Sequence, residues 1–249
     1  MARQRHLPRA PITEALIDFR VVPRDGLTFS ELQELIDAPQ LGYYVKGPIS
    51  EGTFQFMLTA GGKQPQTTSE SAQTGLRFHS HDEKYVAQCR LSGFTLSRLP
   101  PYEEWNNLVL EAKRLWAAYT GRLAPKRVVR VATRFINNLQ LPMEGAMPYQ
   151  KYVNKLVDVP EEAPQAVASF LQRFQLVDVE SDAHVILTLA LDHALPGMRV
   201  PVILDIDTFR VVDLALPNQD IWDILDKLRE LKNRCFFGTI TEAAAELYE

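Results

Sequence analysis

Residues 127–138 read RVVRVATRFINN and lie near the middle of this 249-residue chain. β-Branched and aromatic residues dominate this stretch and are interleaved with arginine, which predicts a β-strand. A second strand is predicted at residues 11–19, PITEALIDF, where successive side chains point to opposite faces. A similar series of elements follows each of the two strands, so we predict that the fold is organised around this pair.

The first half of the chain continues with a short helix and then an antiparallel meander. The meander strands are predicted at residues 43–49, 53–59, 76–80, 84–91 and 94–98. Residues 50–52 are expected to form a turn, and residues 61–74, GGKQPQTTSESAQT, a mobile hairpin loop. A long amphipathic helix follows, and Gly121 is placed to cap its C-terminal end. The apolar face of this helix consists of Trp105, Leu108, Ala112, Leu115, Trp116 and Tyr119.

The second half repeats the order of strand, helix, strands and long helix. The predicted elements are a strand at residues 127–141, a short helix at 148–156, an added helix at 161–174, strands at 184–191, 200–205 and 209–214, and a long helix at 217–236. Asp207 and Thr208 predict a turn between the last two of these strands, because both side chains can bond the local backbone there.

These patterns predict an α+β fold made of two duplicated β-α-β4-α halves. The halves are residues 1–122 and 123–249, the second with the added helix near 161–174, and together they form one compact pseudo-symmetric unit. The topology resembles the TATA-binding-protein-like, helix-grip folds. That resemblance implies that each half is a curved antiparallel sheet with a long helix on one face.

Composition narrows the class of protein. Hydrophobic residues make up 46% of the chain and charged residues 23%, with a formal net charge of −4, which is ordinary for a globular protein and argues against a generally basic nucleic-acid binder. We expect no signal peptide and no membrane span, since no long apolar run is present. Cys89 and Cys235 match no metal or redox spacing and are expected to be reduced, buried thiols. A cytoplasmic location is therefore expected.

The two organising strands carry opposite charges. Glu14 and Asp18 share one face of the first strand, and Arg130 and Arg134 share one face of the second. In one interpretation these four residues form ion pairs that fix the register of the two halves, because arginine can bind a carboxylate with two hydrogen bonds. In the other, the arginines and Asn137 hold an anionic ligand.

The signals for metal or catalytic chemistry are weak. His79 and His81 are two residues apart on a predicted strand and could share a metal ion, but no third ligand is evident. Asp205 and Asp207 alternate as the acids of divalent-metal nucleases do, although no lysine completes such a set. The sequence holds no phosphate-binding loop, nucleophile elbow or zinc motif, so we expect no cofactor.

Four blocks of sequence resemble a sporadically distributed, uncharacterised prokaryotic family of about this length. The blocks are PITEALIDF, GFTLSRLPPYEEW, RVATRFINN and LKNRCFFGTIT. The resemblance implies a prokaryotic protein and brings no catalytic residues. Patchy distribution of this kind accompanies defence, toxin–antitoxin and mobile-element systems.

Three functional hypotheses follow. The first is a non-catalytic binding or adaptor component of such a system that works through a protein partner or as a homodimer. The second is a sensor that binds an anionic small molecule between the sheet and the helices. The third is a metal-dependent nuclease or other hydrolase. Nucleic acid is a less favoured partner, because the basic run around Arg127 and Arg130 does not form one stripe and acidic tracts lie elsewhere.

Overall fold

The computed structural model describes residues 1–37, 41–56, 67–142, 151–154, 159–160, 162–164, 167–191 and 199–249. These residues form nine β-strands and four α-helices, a mixed α+β architecture. The strands are β1 Ile12–Val22, β2 Tyr43–Phe56, β3 Thr67–Ser80, β4 Tyr85–Arg90, β5 Gly93–Arg98, β6 Arg127–Leu141, β7 Phe170–Asp178, β8 Ala183–Leu191 and β9 Val200–Ala215. The helices are α1 Phe29–Gln33, α2 Trp105–Leu123, α3 Asp220–Thr239 and α4 Glu242–Glu246, and a 3-10 turn at Glu34–Asp37 follows α1.

All nine strands belong to one sheet, in the order β2-β3-β4-β5-β1-β6-β9-β8-β7. Every neighbouring pair is antiparallel. The two strands that the sequence singles out, β1 and β6, lie side by side at the centre, with the register Ala15 to Phe135 and Phe19 to Val131. Because side chains alternate along each strand, this register fixes which residues share a face across the centre of the sheet.

The two long helices cover one face of this sheet, which we call the inner face. Phe19 of β1 is fully buried there between two tryptophan rings. Its ring centroid lies 4.6 Å from that of Trp116 on α2 and 5.5 Å from that of Trp222 on α3. Aromatic pairs at these distances add packing energy to the area that they bury. One side chain of β1 therefore contacts both helices.

Two predicted turns are wrong, because each lies inside a continuous strand. Residues 50–52 are part of β2, which pairs with β3 along its length. Residues 206–208 are part of β9, in which Ile206 and Thr208 are buried and face the helices. The alternation of buried and partly exposed residues runs through this segment, and β9 gains ladder hydrogen bonds to β6 and β8 on both sides. These bonds outweigh the local turn preference of aspartate and threonine.

The predicted loop at residues 61–74 is wrong from residue 67 onward, where β3 begins, and residues 61–66 lie outside the described residues. The added helix at 161–174 is wrong over 170–174, which belong to β7. Gly121 does not end α2; the helix continues to Leu123, and Ala124 takes the left-handed conformation. The predicted helix at 148–156 lies mostly outside the described residues, and its described part forms an isolated bridge between Val153 and Ile240.

Within the described chain, no helix is both long and apolar enough to cross a membrane.

Candidate functional site

Five charged residues meet on the face of the sheet opposite the two long helices, which we call the outer face. This outer charge cluster consists of Asp18 on β1, Arg130 and Arg134 on β6, and Asp205 and Asp207 on β9. Strand alternation puts all five on one side, since β1, β6 and β9 are consecutive in the sheet. The cluster borders a hollow of about 400 Å³ that is lined by strand residues alone.

Each arginine of the cluster forms hydrogen bonds with the carboxylate of at least one aspartate. Arg130 donates from Nη1 to Asp18 at 2.9 Å and from Nη2 to Asp207 at 3.2 Å. Arg134 binds Asp205 through two bonds, from Nε at 2.8 Å and from Nη2 at 2.6 Å. Bidentate pairing of this kind is the strongest form of arginine–carboxylate contact. The contacts favour the interpretation in which the cluster cross-links strands.

Asp18 is the most deeply buried member of the cluster and has more than one donor. Its side chain is 7% exposed and also accepts a hydrogen bond of 2.7 Å from Oγ1 of Thr95 on β5. Nε of Arg20 lies 3.2 Å from the same carboxylate. Burial raises the pKa of Asp207, while the charges of Arg130 and Arg134 act in the opposite direction. The cluster thus connects β5, β1, β6 and β9 across the middle of the sheet.

Two residues that the sequence grouped with the arginines are not bound to them. Asn137 lies on the inner face, is 2% exposed, and donates from Nδ2 to the carbonyl of Leu204 at 2.9 Å. Its odd number, against the even numbers of Arg130 and Arg134, puts it on the other side of β6. Glu14 shares the outer face but forms no salt bridge with any described residue, and acts on Arg134 as a more distant charge.

The weak metal candidates His79 and His81 each contact another side chain and lie far from the acids of β9. Nδ1 of His79 on β3 lies 2.7 Å from Oε2 of Glu83, and the ring of His81 stacks on Tyr44 with centroids 5.9 Å apart. Four strands separate β3 from β9, which carries Asp205. Across the described part of the chain, no group of three or more metal-binding side chains is placed to hold an ion.

A second site lies on the inner face, between the N-terminal segment (residues 1–10), β6, the start of α2 and the C-terminal part of α3. It is a cavity of about 400 Å³, which we call the Lys232 cavity. Much of its wall is aromatic, from Tyr102, Trp105, Phe135, Phe236 and Phe237. Amide groups of Asn137 and Asn233 also line it. Charged and other polar side chains make up the rest of the wall, and a concave site that combines aromatic surface with converging polar groups can hold a small molecule.

Lys232 is the unusual residue of this cavity. It is 8% exposed, and Nζ lies 3.8 Å above the centre of the Phe135 ring. Nζ donates to Oδ1 of Asn233 at 2.6 Å, and no described carboxylate forms a salt bridge with it. Burial, with the charge of Arg229, lowers the pKa of Lys232 to about 7. A buried ammonium without a counter-ion is costly, so Lys232 is a site where an anion would bind favourably.

The other charges of the cavity lie nearer to solvent. Arg229 is exposed, and its guanidinium lies over the Trp105 ring at 5.8 Å. Arg5 is engaged by the carboxylates of Glu242 and Glu249. Two acids also line the cavity. Glu103 is exposed and bound by Arg98 at 3.2 Å, and Glu104 is exposed. The buried end of the cavity is therefore cationic, whereas its rim carries both signs of charge.

Sequence reasoning missed Lys232, although a signal for it was present. In α3, Ile221, Leu225 and Leu228 are spaced four and three residues apart and are buried, and Phe236, eight residues after Leu228, is buried on the same stripe. Position 232 belongs to the same stripe, four residues after Leu228 and four before Phe236. A lysine on the apolar stripe of a helix is an exception to the usual burial pattern, and such exceptions often mark functional positions.

Comparison with known proteins adds no assignment: no protein-family model and no curated protein matches this chain.

Proposed function

We propose that this protein binds an anionic small molecule in the Lys232 cavity, between the sheet and the two long helices. The observation that carries the proposal is the nearly buried Nζ of Lys232, which faces the cavity without a described carboxylate partner. An anion would supply the missing counter-charge. The aromatic part of the wall favours a ligand with a flat apolar body, so an aromatic carboxylate is the ligand class that we infer.

The location differs from the one that the sequence suggested. Arg130 and Arg134 lie on the outer face and are bound by carboxylates, so an anion there would have to compete with Asp18, Asp205 and Asp207. At Lys232 an anion has no such competitor among the described residues. We therefore propose that the anionic ligand binds at Lys232 and not at Arg130 and Arg134.

Calorimetric titration with benzoate tests the proposal, with benzyl alcohol as the neutral analogue. Wild-type protein should bind benzoate and bind benzyl alcohol at least tenfold more weakly, because only benzoate supplies the counter-charge. Lys232→Met should lose benzoate binding. Lys227→Met, which removes an exposed lysine from the same helix, should retain it. Equal binding of both compounds by wild type and Lys232→Met would refute the proposal.

A second proposal concerns association between two copies of the chain through β7. This strand ends the described sheet, and its Leu171 and Val177 are 72% and 63% exposed. If β7 pairs antiparallel with its own copy about Phe174, Leu171 of one copy lies opposite Val177 of the other. In such an arrangement the open backbone N–H and C=O groups of the two edge strands bond to each other, and the contacts of Leu171 with Val177 add stability.

Light scattering after size-exclusion chromatography tests this second proposal. Wild-type protein should be a dimer at high concentration, and Leu171→Lys should be a monomer, because each of the two contacts between Leu171 and Val177 would then bury a charge. Val211→Lys is the matched control, since Val211 is 65% exposed on another strand. A monomeric wild type at all concentrations would rule out the dimer.

We also propose that the fold is a duplicated β-α-β4-α arrangement with a TATA-binding-protein-like, helix-grip topology. The strand order supports this proposal. The first half has the order β1-α1-β2-β3-β4-β5-α2, and the second places β6, three strands and α3 around the same centre. The role in a prokaryotic defence, toxin–antitoxin or mobile-element system stays a prediction from resemblance. The hypothesis of a metal-dependent hydrolase, which comes from the spacing of His79, His81, Asp205 and Asp207, also stays a prediction.

A further inference from the structure

Lys232 has the features of a chemically reactive amine as well as those of a counter-charge. Lys232 lines a cavity of about 400 Å³, and its Nζ contacts Phe135 and Asn233, which line the same cavity. The hydrogen bond of 2.6 Å to Oδ1 of Asn233 fixes the position of the nitrogen. Within the described chain no salt bridge ties up the amine, whereas Lys126, for example, is bound by Asp25 at 2.7 Å.

We infer that Lys232 forms an imine with an aldehyde or ketone that also carries an anionic group. The inference rests on the proposed function, because the cationic cavity selects the anionic group and brings the carbonyl carbon next to Nζ. The class of ligand is thus narrowed from an anion to an anionic carbonyl compound. No oxidant, reductant or metal is needed for the condensation.

Imine formation joins the amine to the carbonyl compound and releases one molecule of water. The lone pair of neutral Nζ attacks the carbonyl carbon, and the carbonyl oxygen becomes the hydroxyl of a carbinolamine. The two hydrogens of the amine leave with that oxygen as one molecule of water, and a C=N bond replaces the C=O bond. The reaction requires an unprotonated amine, and desolvated lysines in apolar pockets are the ones that proteins use for it.

The surroundings of Lys232 keep a large share of the amine unprotonated. Burial and the nearby charge of Arg229 lower its pKa to about 7, so about half of the amine is neutral at pH 7. At that pH, the neutral fraction of an exposed lysine with an ordinary pKa is smaller by a factor on the order of 10³. The Phe135 ring on one side of Nζ excludes water from that side.

The ionisable groups around the lysine come from every wall of the cavity. Arg229 extends from α3, Glu103 and Glu104 precede α2, Tyr102 stands in the loop before them, and Arg5 and His6 belong to the N-terminal segment. Burial raises the pKa of Tyr102, so its hydroxyl stays protonated at neutral pH. Because the amine must be neutral to react, the anionic group of a carbonyl ligand would pair with Arg229 and leave the carbonyl group at the buried amine, whereas benzoate, which has no such carbonyl group, would pair with the protonated form of Lys232.

Reductive trapping with 4-carboxybenzaldehyde and sodium cyanoborohydride tests the inference on the full chain. Trapping converts the imine into a secondary amine, which peptide mass spectrometry assigns to one lysine. At pH 7 we expect Lys232 to be labelled roughly tenfold or more faster than any exposed lysine. Labelling of Lys232 should rise with a midpoint near pH 7, while exposed lysines should become reactive only toward pH 10.

Two comparisons use the wild-type protein alone, so their outcome does not depend on whether a variant folds. Benzoate should protect Lys232 of the wild-type protein from labelling, and benzaldehyde, which lacks the carboxylate, should label it more slowly. Lys232→Met should lose the single fast adduct, and Lys227→Met should keep it. Labelling that spreads over exposed lysines without preference would overturn the inference.

The failure of this inference differs from the failure of the proposed function. If benzoate binds at Lys232 but no adduct is trapped there, the anion site stands and the imine is refuted. If benzoate neither binds nor protects, the proposed function fails, even where Lys232 is labelled by aldehydes in general.

Discussion

At the scale of single residues, the arginines of the outer charge cluster differ from Lys232 in having acidic partners. Arg130 and Arg134 bind carboxylates on neighbouring strands, whereas Lys232 is buried without a described acid. Much of the outer charge cluster was predictable, because strand alternation places Asp18 and both arginines on one face. The partners on β9 were not, since Asp205 and Asp207 resemble turn residues until the pairing of β9 with β6 is known.

Replacing Arg130 tests the paired charges. Arg130→Ala leaves Asp18, which is nearly buried, without its main cation, so we expect a loss of about 2–4 kcal/mol in the free energy of unfolding. Arg127→Ala is the matched control on the same strand, because the pair of Arg127 with Asp213 is exposed. Its loss should stay below about 1 kcal/mol. Urea unfolding measures both, and equal losses would contradict the structural role of the cluster.

The pH dependence of stability tests the unpaired charge. The pKa of Lys232 is lowered from 10.5 to about 7 on folding, so between these values the unfolded chain binds more protons than the folded chain. This lysine therefore makes stability increase with pH in that range, by about 1.4 kcal/mol per pH unit. Lys232→Met removes the titrating group, so the difference in unfolding free energy between wild type and variant should change by roughly 2–3 kcal/mol from pH 7 to 9.5. Parallel profiles would show that Lys232 is not desolvated, and Lys227→Met should follow wild type.

At the scale of elements, the long helices are held by a few side chains that each contact two or more elements. Phe19 on β1 joins Trp116 on α2 to Trp222 on α3. Nε1 of Trp105, at the start of α2, donates to Oδ1 of Asp226 on α3 at 2.8 Å. The helices were predictable from their apolar spacing, but these contacts between them were not, because they depend on which strands are neighbours. The same holds for β2 and β9, whose continuity is set by pairing and not by their own sequence.

A leucine pair on α2 tests the packing of this helix on the sheet. Leu108 is fully buried, and Leu110, two residues on, is 70% exposed. Leu108→Ala should reduce the free energy of unfolding by about 2–5 kcal/mol, since it removes buried methyl groups and leaves a cavity. Leu110→Ala should change it by less than about 0.5 kcal/mol, with the same change in side chain on the same helix. Chemical denaturation followed by circular dichroism measures both, and similar effects would mean that α2 does not pack as described.

At the scale of the whole molecule, the N-terminal segment joins the beginning of the chain to its end. The backbone N–H of Ala2 donates to the carbonyl of Phe237 at 3.0 Å, and that of Arg9 to the carbonyl of Tyr248 at 3.1 Å. Leu7 of this segment is buried and lines the Lys232 cavity. No repeating pattern marks residues 1–10, so nothing in their sequence predicts this position. The cavity thus depends on the packing of residues distant in sequence, as sites between elements commonly do.

Deletion of residues 2–9 tests whether this segment forms the wall of the cavity. Without it the Lys232 cavity opens to water, and the desolvation that lowers the pKa of Lys232 is reduced. We expect the midpoint of Lys232 labelling by 4-carboxybenzaldehyde to move from about 7 toward the ordinary value of about 10.4, and benzoate binding to weaken at least tenfold. Arg3→Ala is the control, because Arg3 is an exposed residue of the same segment that does not line the cavity, and its replacement leaves Leu7 in place. An unchanged labelling midpoint in a folded deletion variant would show that the desolvation of Lys232 comes from α3 and β6 alone, and that the N-terminal segment has no part in the site.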